Sequence, residues 1–68
     1  MSELAIKIGK NIKFFRKMKA ISQEKLALLC NIDRSYIGRI ERGEVNLTVE
    51  KLYEISTALE IDIKELLP

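Results

Sequence analysis

Arginine and serine side chains recur at helical spacing in the middle of this 68-residue chain. Residues separated by steps of three and four lie along one side of a helix. The positions that share this side are Arg34, Ser35, Gly38, Arg39 and Arg42. A guanidinium offers several N–H donors in a planar fork, which match phosphate oxygens and the acceptor edge of guanine. This pattern indicates a surface that recognises a polyanion through charge and hydrogen bonds.

Side chains suited to catalysis or metal binding are scarce. The sequence has no His, one Cys (Cys30) and no glycine-rich phosphate loop. Its carboxylates occur singly on predicted helix faces, with no paired acid and base and no spacing typical of metal ligands. We therefore expect no catalytic residues, no metal, no cofactor and no enzymatic activity. Cys30 is expected to be a small buried residue and not a redox sensor.

Composition narrows the class of protein further. Hydrophobic residues make up 47% of the chain, which excludes a disordered tail. The apolar runs are too short to span a membrane, and a single cysteine favours a reducing cytoplasm. The net charge of +2 conceals a basic segment over residues 1–42 and an acidic one over 43–68. This asymmetry favours a polyanionic partner, although solvated helix faces explain charge as well.

The elements that must position these side chains are predicted to be five helices, in one domain over residues 1–68. The expected ranges are residues 3–19, 23–30, 34 to 41 or 42, 49–59 and 63–67. Ser22, Asp33, Thr48 and Asp62 stand where N-caps are needed, and Asn31 suits a left-handed helix end. Apolar spacing places Leu4 and Met18 of the first helix, and Leu29 of the second, toward the core.

The second and third predicted helices are short and joined by a tight turn that Ile32 fills. Gly9, Ile12, Arg16, the run SQEKLA at 22–27 and the run IGRIERG at 37–43 resemble the Cro and phage-repressor (XRE-like) helix-turn-helix family. The resemblance implies a five-helix bundle of the lambda-repressor-like DNA-binding type, with the helix-turn-helix at about residues 23–42. Within that family the chain is most similar to controller proteins of restriction–modification systems.

The resemblance implies that the third helix enters the major groove of double-stranded DNA. Base contacts are then expected from Arg34, Ser35, Gly38 and Arg39, and phosphate contacts from Gln23, Tyr36, Arg42, Asn46 and Thr48. The alternatives are a plain backbone phosphate contact for Arg34, solvated side chains for Arg39 and Arg42, an exposed Gln23, a rim core position for Tyr36, a tolerated helix glycine at Gly38, and a plain loop and cap at Asn46 and Thr48.

Arg16 and Glu41 are expected to form a structural ion pair, as the family pairs the first and third helices. Two positions depart from the family pattern. Val45 stands where controller proteins often have a basic residue, which puts one backbone or minor-groove contact in doubt. Ala20 stands where glycine commonly ends the first helix with positive φ, so either Ala20 is strained or the turn differs.

Residues 49–67 are expected to form a homodimer surface, through Ile61, Ile63, Leu66 and Leu67. The alternative is that these residues only close the core of a single protomer. A two-fold dimer would read a pseudo-palindromic operator. We expect no small-molecule effector, since no effector domain follows, so that protein concentration sets occupancy. RNA polymerase is a further candidate partner, through Glu50 and Glu54. Ordinary solvation explains these acidic residues equally well.

The sequence thus predicts a sequence-specific transcriptional regulator, acting as an autoregulatory controller of a restriction–modification operon. The alternatives are a phage-type or chromosomal repressor, or an antitoxin-like module that uses the same fold to bind another protein.

Overall fold

Four α-helices and one 3₁₀ turn make up the computed structural model, which describes residues 2–68. The helices are α1 (Glu3–Met18), α2 (Gln23–Cys30), α3 (Arg34–Glu41) and α4 (Val49–Leu59), and the 3₁₀ turn is Ile63–Glu65. Residues 2–68 contain no strand. The all-α prediction is confirmed, and the bounds of the four helices agree with those expected to within one residue.

The predicted fifth α-helix is wrong. The N–H groups of Glu65 and Leu66 donate to the carbonyls of Asp62 and Ile63, which are the i→i+3 bonds of a tighter turn. The Leu66 side chain is fully buried, and its carbonyl accepts a 3.0 Å hydrogen bond from Nδ2 of Asn11. Tertiary contacts to α1 thus replace the continuation of a helix.

Side-chain caps fix where three of the helices begin. The hydroxyl oxygens of Ser2, Ser22 and Thr48 accept the N–H groups of Ala5, Lys25 and Lys51 at 3.0–3.1 Å. The prediction for Ser22 and Thr48 is confirmed. Asp33 occupies the N-cap position of α3, but its side chain makes no capping hydrogen bond.

The core lies where α2, α3 and α4 meet the inner face of α1. Its fully buried members are Ile12, Leu26, Ile37, Ile40, Ile55, Leu59 and Leu66. Leu4, Met18 and Leu29, which we expected to pack inward, are instead exposed. In α2 the buried face runs through Leu26, Ala27 and Cys30, and Leu29 lies to the side of it.

Gly9 allows α1 to approach the end of α3 closely. A Cβ atom at this position would collide with the backbone carbonyl oxygen of Ile40 and lie 2.9 Å from that of Glu41. The contact joins the backbones themselves, so no side-chain rearrangement can relieve it. Gly9 therefore sets the position of the helix that carries the arginines.

Within residues 2–68, three non-glycine residues adopt left-handed backbone conformations: Ala20, Asn31 and Glu60, with φ of 57°, 56° and 58°. Asn31 confirms the expectation for the end of α2. At Ala20 the chain keeps the left-handed turn in which glycine is the favoured residue, so Ala20 is strained. None of the helices in residues 2–68 combines the length and apolar character that crossing a membrane requires.

Candidate nucleic-acid interface

The outer side of α3 carries exposed arginines, as the sequence predicts. Arg34, Ser35 and Arg39 lie on the helix and Arg42 at its C-cap, and all four side chains are exposed. Gly38 differs from expectation, because it is buried. A Cβ atom there would lie 3.2 Å from Nη1 of Arg42. The expected gap in the face is therefore filled by the Arg42 guanidinium.

Two of the open depressions lined by Arg34 lie beside polar side chains. One, of about 330 Å³, is lined by Gln23, Arg34, Ser35, Gly38 and Arg42. The other, of about 410 Å³, lies at the start of α2 and is lined by Arg16, Ser22, Gln23, Glu24 and Arg34. The first N–H groups of a helix have no intrahelical partner and favour anions. This second depression therefore combines helix N–H donors with the exposed guanidinium of Arg34.

A buried ion pair holds α3 against α1. Nε of Arg16 lies 2.6 Å from Oε2 of Glu41, and Nη2 lies 3.1 Å from Oε1. The two side chains are only 9% and 3% exposed. Nη1 of Arg16 also donates to the Ile21 carbonyl at 2.8 Å. This is the pair expected from the sequence, and it ties α1, the turn before α2 and the end of α3 together.

Gln23 extends this network to α2. Its Nε2 donates to Oε1 of Glu41 at 3.0 Å, and the residue is half-buried. The side chain expected to bind phosphate thus already has a partner within the protein. The backbone at Gln23 still opens the first turn of α2, beside Arg34.

An acidic residue that sequence reasoning missed lies beside the arginines. Nε of Arg42 donates to Oε2 of Glu44 at 2.7 Å, and Nε of Arg39 lies 3.9 Å from Oε1. The hydrogen bond to Arg42 holds the pKa of the Glu44 carboxyl below its ordinary value and raises the pKa of Arg42. The signal was Gly43, since a glycine at this position folds the chain back over the helix end.

The remaining expected phosphate contacts differ in setting. Tyr36 is half-buried and packs against the core. Asn46 is exposed, and its Oδ1 accepts a 3.1 Å hydrogen bond from the Ser2 hydroxyl. Thr48 is exposed and caps α4. Asn46 and Thr48 therefore stand at the start of α4, a second helix N-terminus with free N–H groups.

A profile of the helix-turn-helix family matches residues 12–66. The chain belongs to the helix-turn-helix family. It is 37% identical to the control protein C.BamHI of Bacillus amyloliquefaciens over 67 residues, which are 97% of this chain and 83% of that protein. It is also 37% identical over 67 residues to the control protein C.MunI of a Mycoplasma species, covering 97% and 90% of the two chains. The resemblance to controller proteins is confirmed. Membership of this family agrees with the expectation of no enzymatic activity.

Solved helix-turn-helix structures share the fold. The restriction–modification controller protein C.AhdI of Aeromonas hydrophila superposes with a TM-score of 0.88 at 40% identity, covering 93% of this chain and 96% of that one. The wild-type controller protein C.Esp1396I gives a TM-score of 0.85 at 39% identity, with 97% of each chain covered.

The apolar residues expected at a dimer surface of this helix-turn-helix chain separate into two groups. Leu66 is fully buried in the protomer's own core, so it offers no surface to a partner. Ile61 and Ile63 are half-buried against that core, and Leu67 is 44% exposed. Larger apolar exposure occurs at Leu28 and Leu29 of α2 and at Val49 and Tyr53 of α4.

Proposed function

We propose that this chain is a sequence-specific DNA-binding transcriptional regulator that controls its own restriction–modification operon. The observation that carries the proposal is the outer side of α3. The buried Arg16–Glu41 pair fixes α3, which carries these exposed arginines, to α1. Similarity to control proteins over nearly the whole chain supports the same conclusion.

Base recognition is assigned to the start of α3. Arg34 and Ser35 occupy the first turn, which reaches base edges when such a helix enters the major groove. Arg34 bonds guanine through two N–H donors, and Arg39 contacts a second base or a phosphate. Gly38 lies beneath Arg42, so its contribution is to make room for that guanidinium in place of the direct base contact first expected.

Phosphate binding is assigned to three places around this helix. The first is the depression at the start of α2, where helix N–H groups meet Arg34 and where Gln23 contributes through its backbone. The second is α3 itself, where Arg42 and, at a separate position, the hydroxyl of Tyr36 each contact a phosphate. The third is the start of α4, with Asn46 and Thr48. These contacts fix the register of the protein on DNA without reading sequence.

The operator is proposed to be pseudo-palindromic and bound by a homodimer. Ile61, Ile63 and Leu67 supply the contact at the 3₁₀ turn, within the region 49–67. Two recognition helices related by a two-fold axis would lie about 34 Å apart, one turn of DNA. Dimerisation and occupancy then both depend on protein concentration, which suits autoregulation in the cytoplasm.

RNA polymerase is proposed as a partner when the regulator activates transcription. Glu50 and Glu54 present carboxylates on the exposed side of α4, although Glu54 also pairs with Lys51 at 3.2 Å. Reversing the charge at Glu50 should reduce activated transcription in vitro and leave operator binding unchanged. A parallel loss of operator binding would contradict this assignment.

The proposed function is tested by a gel-shift titration on DNA from upstream of the chain's own gene, with random duplex as competitor. Cooperative binding that survives the competitor supports an autoregulator. Weak binding that the competitor abolishes contradicts it and leaves two alternatives: the operator lies elsewhere, or the fold binds a protein partner, which a pull-down would then test. A neighbouring endonuclease or methyltransferase gene supports the controller assignment, and a toxin gene the antitoxin-like alternative.

A matched variant tests base reading. Arg34→Ala should relax preference at one base pair of each half-site, with a loss of about 1–3 kcal/mol on the operator. Arg42→Ala should weaken operator and random duplex alike and reduce the slope of log affinity against log salt by about 0.9. Equal losses on both duplexes for Arg34→Ala would contradict base reading by that residue.

A further inference from the structure

Glu44 is brought to the recognition face by the way α3 ends. Gly43 takes a left-handed conformation with φ of 78°, and its N–H donates to the Ile40 carbonyl at 3.0 Å. The N–H of Glu44 donates to the Arg39 carbonyl at 3.0 Å. These are the two bonds of a Schellman motif, which turns the chain back over the last turn of the helix. The backbone of Glu44 is therefore fixed.

The carboxylate of Glu44 is shared between two of the arginines proposed to bind DNA. One oxygen accepts the 2.7 Å hydrogen bond from Arg42, and the other faces Nε of Arg39 at 3.9 Å. The three side chains are 38–61% exposed. Exposed ion pairs are weak, so each arginine can exchange the carboxylate for a phosphate or a base.

We propose that Glu44 is a specificity-determining residue, which orders Arg39 and Arg42 in the free protein and discriminates against non-operator DNA. The inference rests on the proposed function. Glu44 stands beside the surface where phosphates would approach, so its charge opposes any duplex. It acts on binding through the two arginines and does not itself recognise a base.

The two actions of Glu44 have different consequences on the two kinds of DNA. Non-specific binding comes almost entirely from phosphate electrostatics, so it suffers the repulsion in full. On the operator each arginine has one defined partner, and holding it in place beforehand reduces the entropy lost on binding. Ordering therefore offsets part of the repulsion on the operator alone.

The test compares Glu44→Gln with the wild-type chain on two duplexes: the operator located by the titration above, and a scrambled duplex of equal length and composition. Affinity for the scrambled duplex should rise about two- to fivefold, the range of one exposed charge interaction. Operator affinity should change less, so that the ratio of the two affinities falls. Thermal unfolding of each variant separates these effects from a change in stability.

Glu3→Gln is the matched control, since it removes one exposed, salt-bridged carboxylate on α1, outside α3 and outside the proposed dimer region. It should leave the affinity ratio unchanged. In an Arg42→Ala background the effect of Glu44→Gln on the ratio should shrink, because one of its two partners is absent. An undiminished effect there would overturn the ordering role.

Two results would overturn the inference as a whole: equal changes on both duplexes for Glu44→Gln, or the same change for Glu3→Gln. Failure of the proposed function is recognised separately. In that case the wild-type chain itself shows no preference for the operator over the scrambled duplex.

Discussion

Two ion pairs at the C-terminal end of α3 present the same chemistry in opposite settings: Arg16 with Glu41, and Arg42 with Glu44. The first pair is 9% and 3% exposed, bonded through two N–H···O contacts and supported by Gln23 and the Ile21 carbonyl. The second is 61% and 38% exposed and makes one hydrogen bond. Burial makes the first pair a structural requirement, whereas solvent leaves the second free to exchange partners.

The largest effect should come from breaking the buried pair. Glu41→Gln leaves the Arg16 guanidinium buried without its counter-charge, and we expect a loss of about 3 kcal/mol in the free energy of unfolding. Urea titration measures it. Glu44→Gln is the matched variant, and its urea midpoint should move far less than that of Glu41→Gln.

The buried pair can also be replaced as a whole. Arg16→Met combined with Glu41→Leu should recover much of the loss, because neither charge then remains unpaired. If Glu41→Gln moved the urea midpoint no more than Glu44→Gln does, burial would not be what distinguishes the two pairs.

The next effect tests what brings the buried pair together. Gly9→Ala places a Cβ atom against the Ile40 carbonyl, so α1 must move away from the end of α3. We expect a loss of about 1–3 kcal/mol in unfolding free energy. Gly38→Ala is a control, since its Cβ would meet only side-chain ends, those of Arg42 and Gln23, and alanine has the higher helix propensity. A Gly9→Ala variant as stable as the wild type would show that the close approach is not required.

A smaller effect, of opposite sign, should come from the turn beside the Arg16 contact to Ile21. Ala20 has φ of 57°, which glycine adopts without steric cost. Ala20→Gly should therefore raise the free energy of unfolding by up to about 1 kcal/mol. This value is the left-handed strain that glycine relieves, less the entropy that the more flexible unfolded chain gains. Differential scanning calorimetry measures it, and a lower melting temperature would contradict the strain.

The smallest effect concerns the exposed pair and pH. The pKa of Glu44 is lowered, first by its hydrogen bond to Arg42, from an ordinary value of 4.5. A lowered folded-state pKa means that the stabilising contribution is present above pH 4.5 and is lost as pH falls through the folded-state pKa. Arg42→Ala should raise the pKa of Glu44 toward its ordinary value in an NMR titration of its carboxyl group. An unchanged pKa would show that the pair does not persist in solution.

Local patterns in the sequence predicted most of the fold. Apolar spacing and the caps Ser22 and Thr48 determine where helices lie, because these interactions join residues three or four apart. Asn31 ends α2 for the same local reason. The resemblance also implied the Arg16–Glu41 pair, although its bidentate geometry and the Gln23 contact came only with the structure.

The sequence by itself therefore determined the four α-helices, the arginine-bearing side of α3 and membership of the helix-turn-helix family. Only the tertiary structure decided that Leu66 belongs to the core, that Gln23 bonds to Glu41 and that Glu44 contacts two arginines. Helical periodicity describes one element at a time. These three features depend on how separate segments pack or how the chain turns back after Gly43, which spacing along a single helix does not specify.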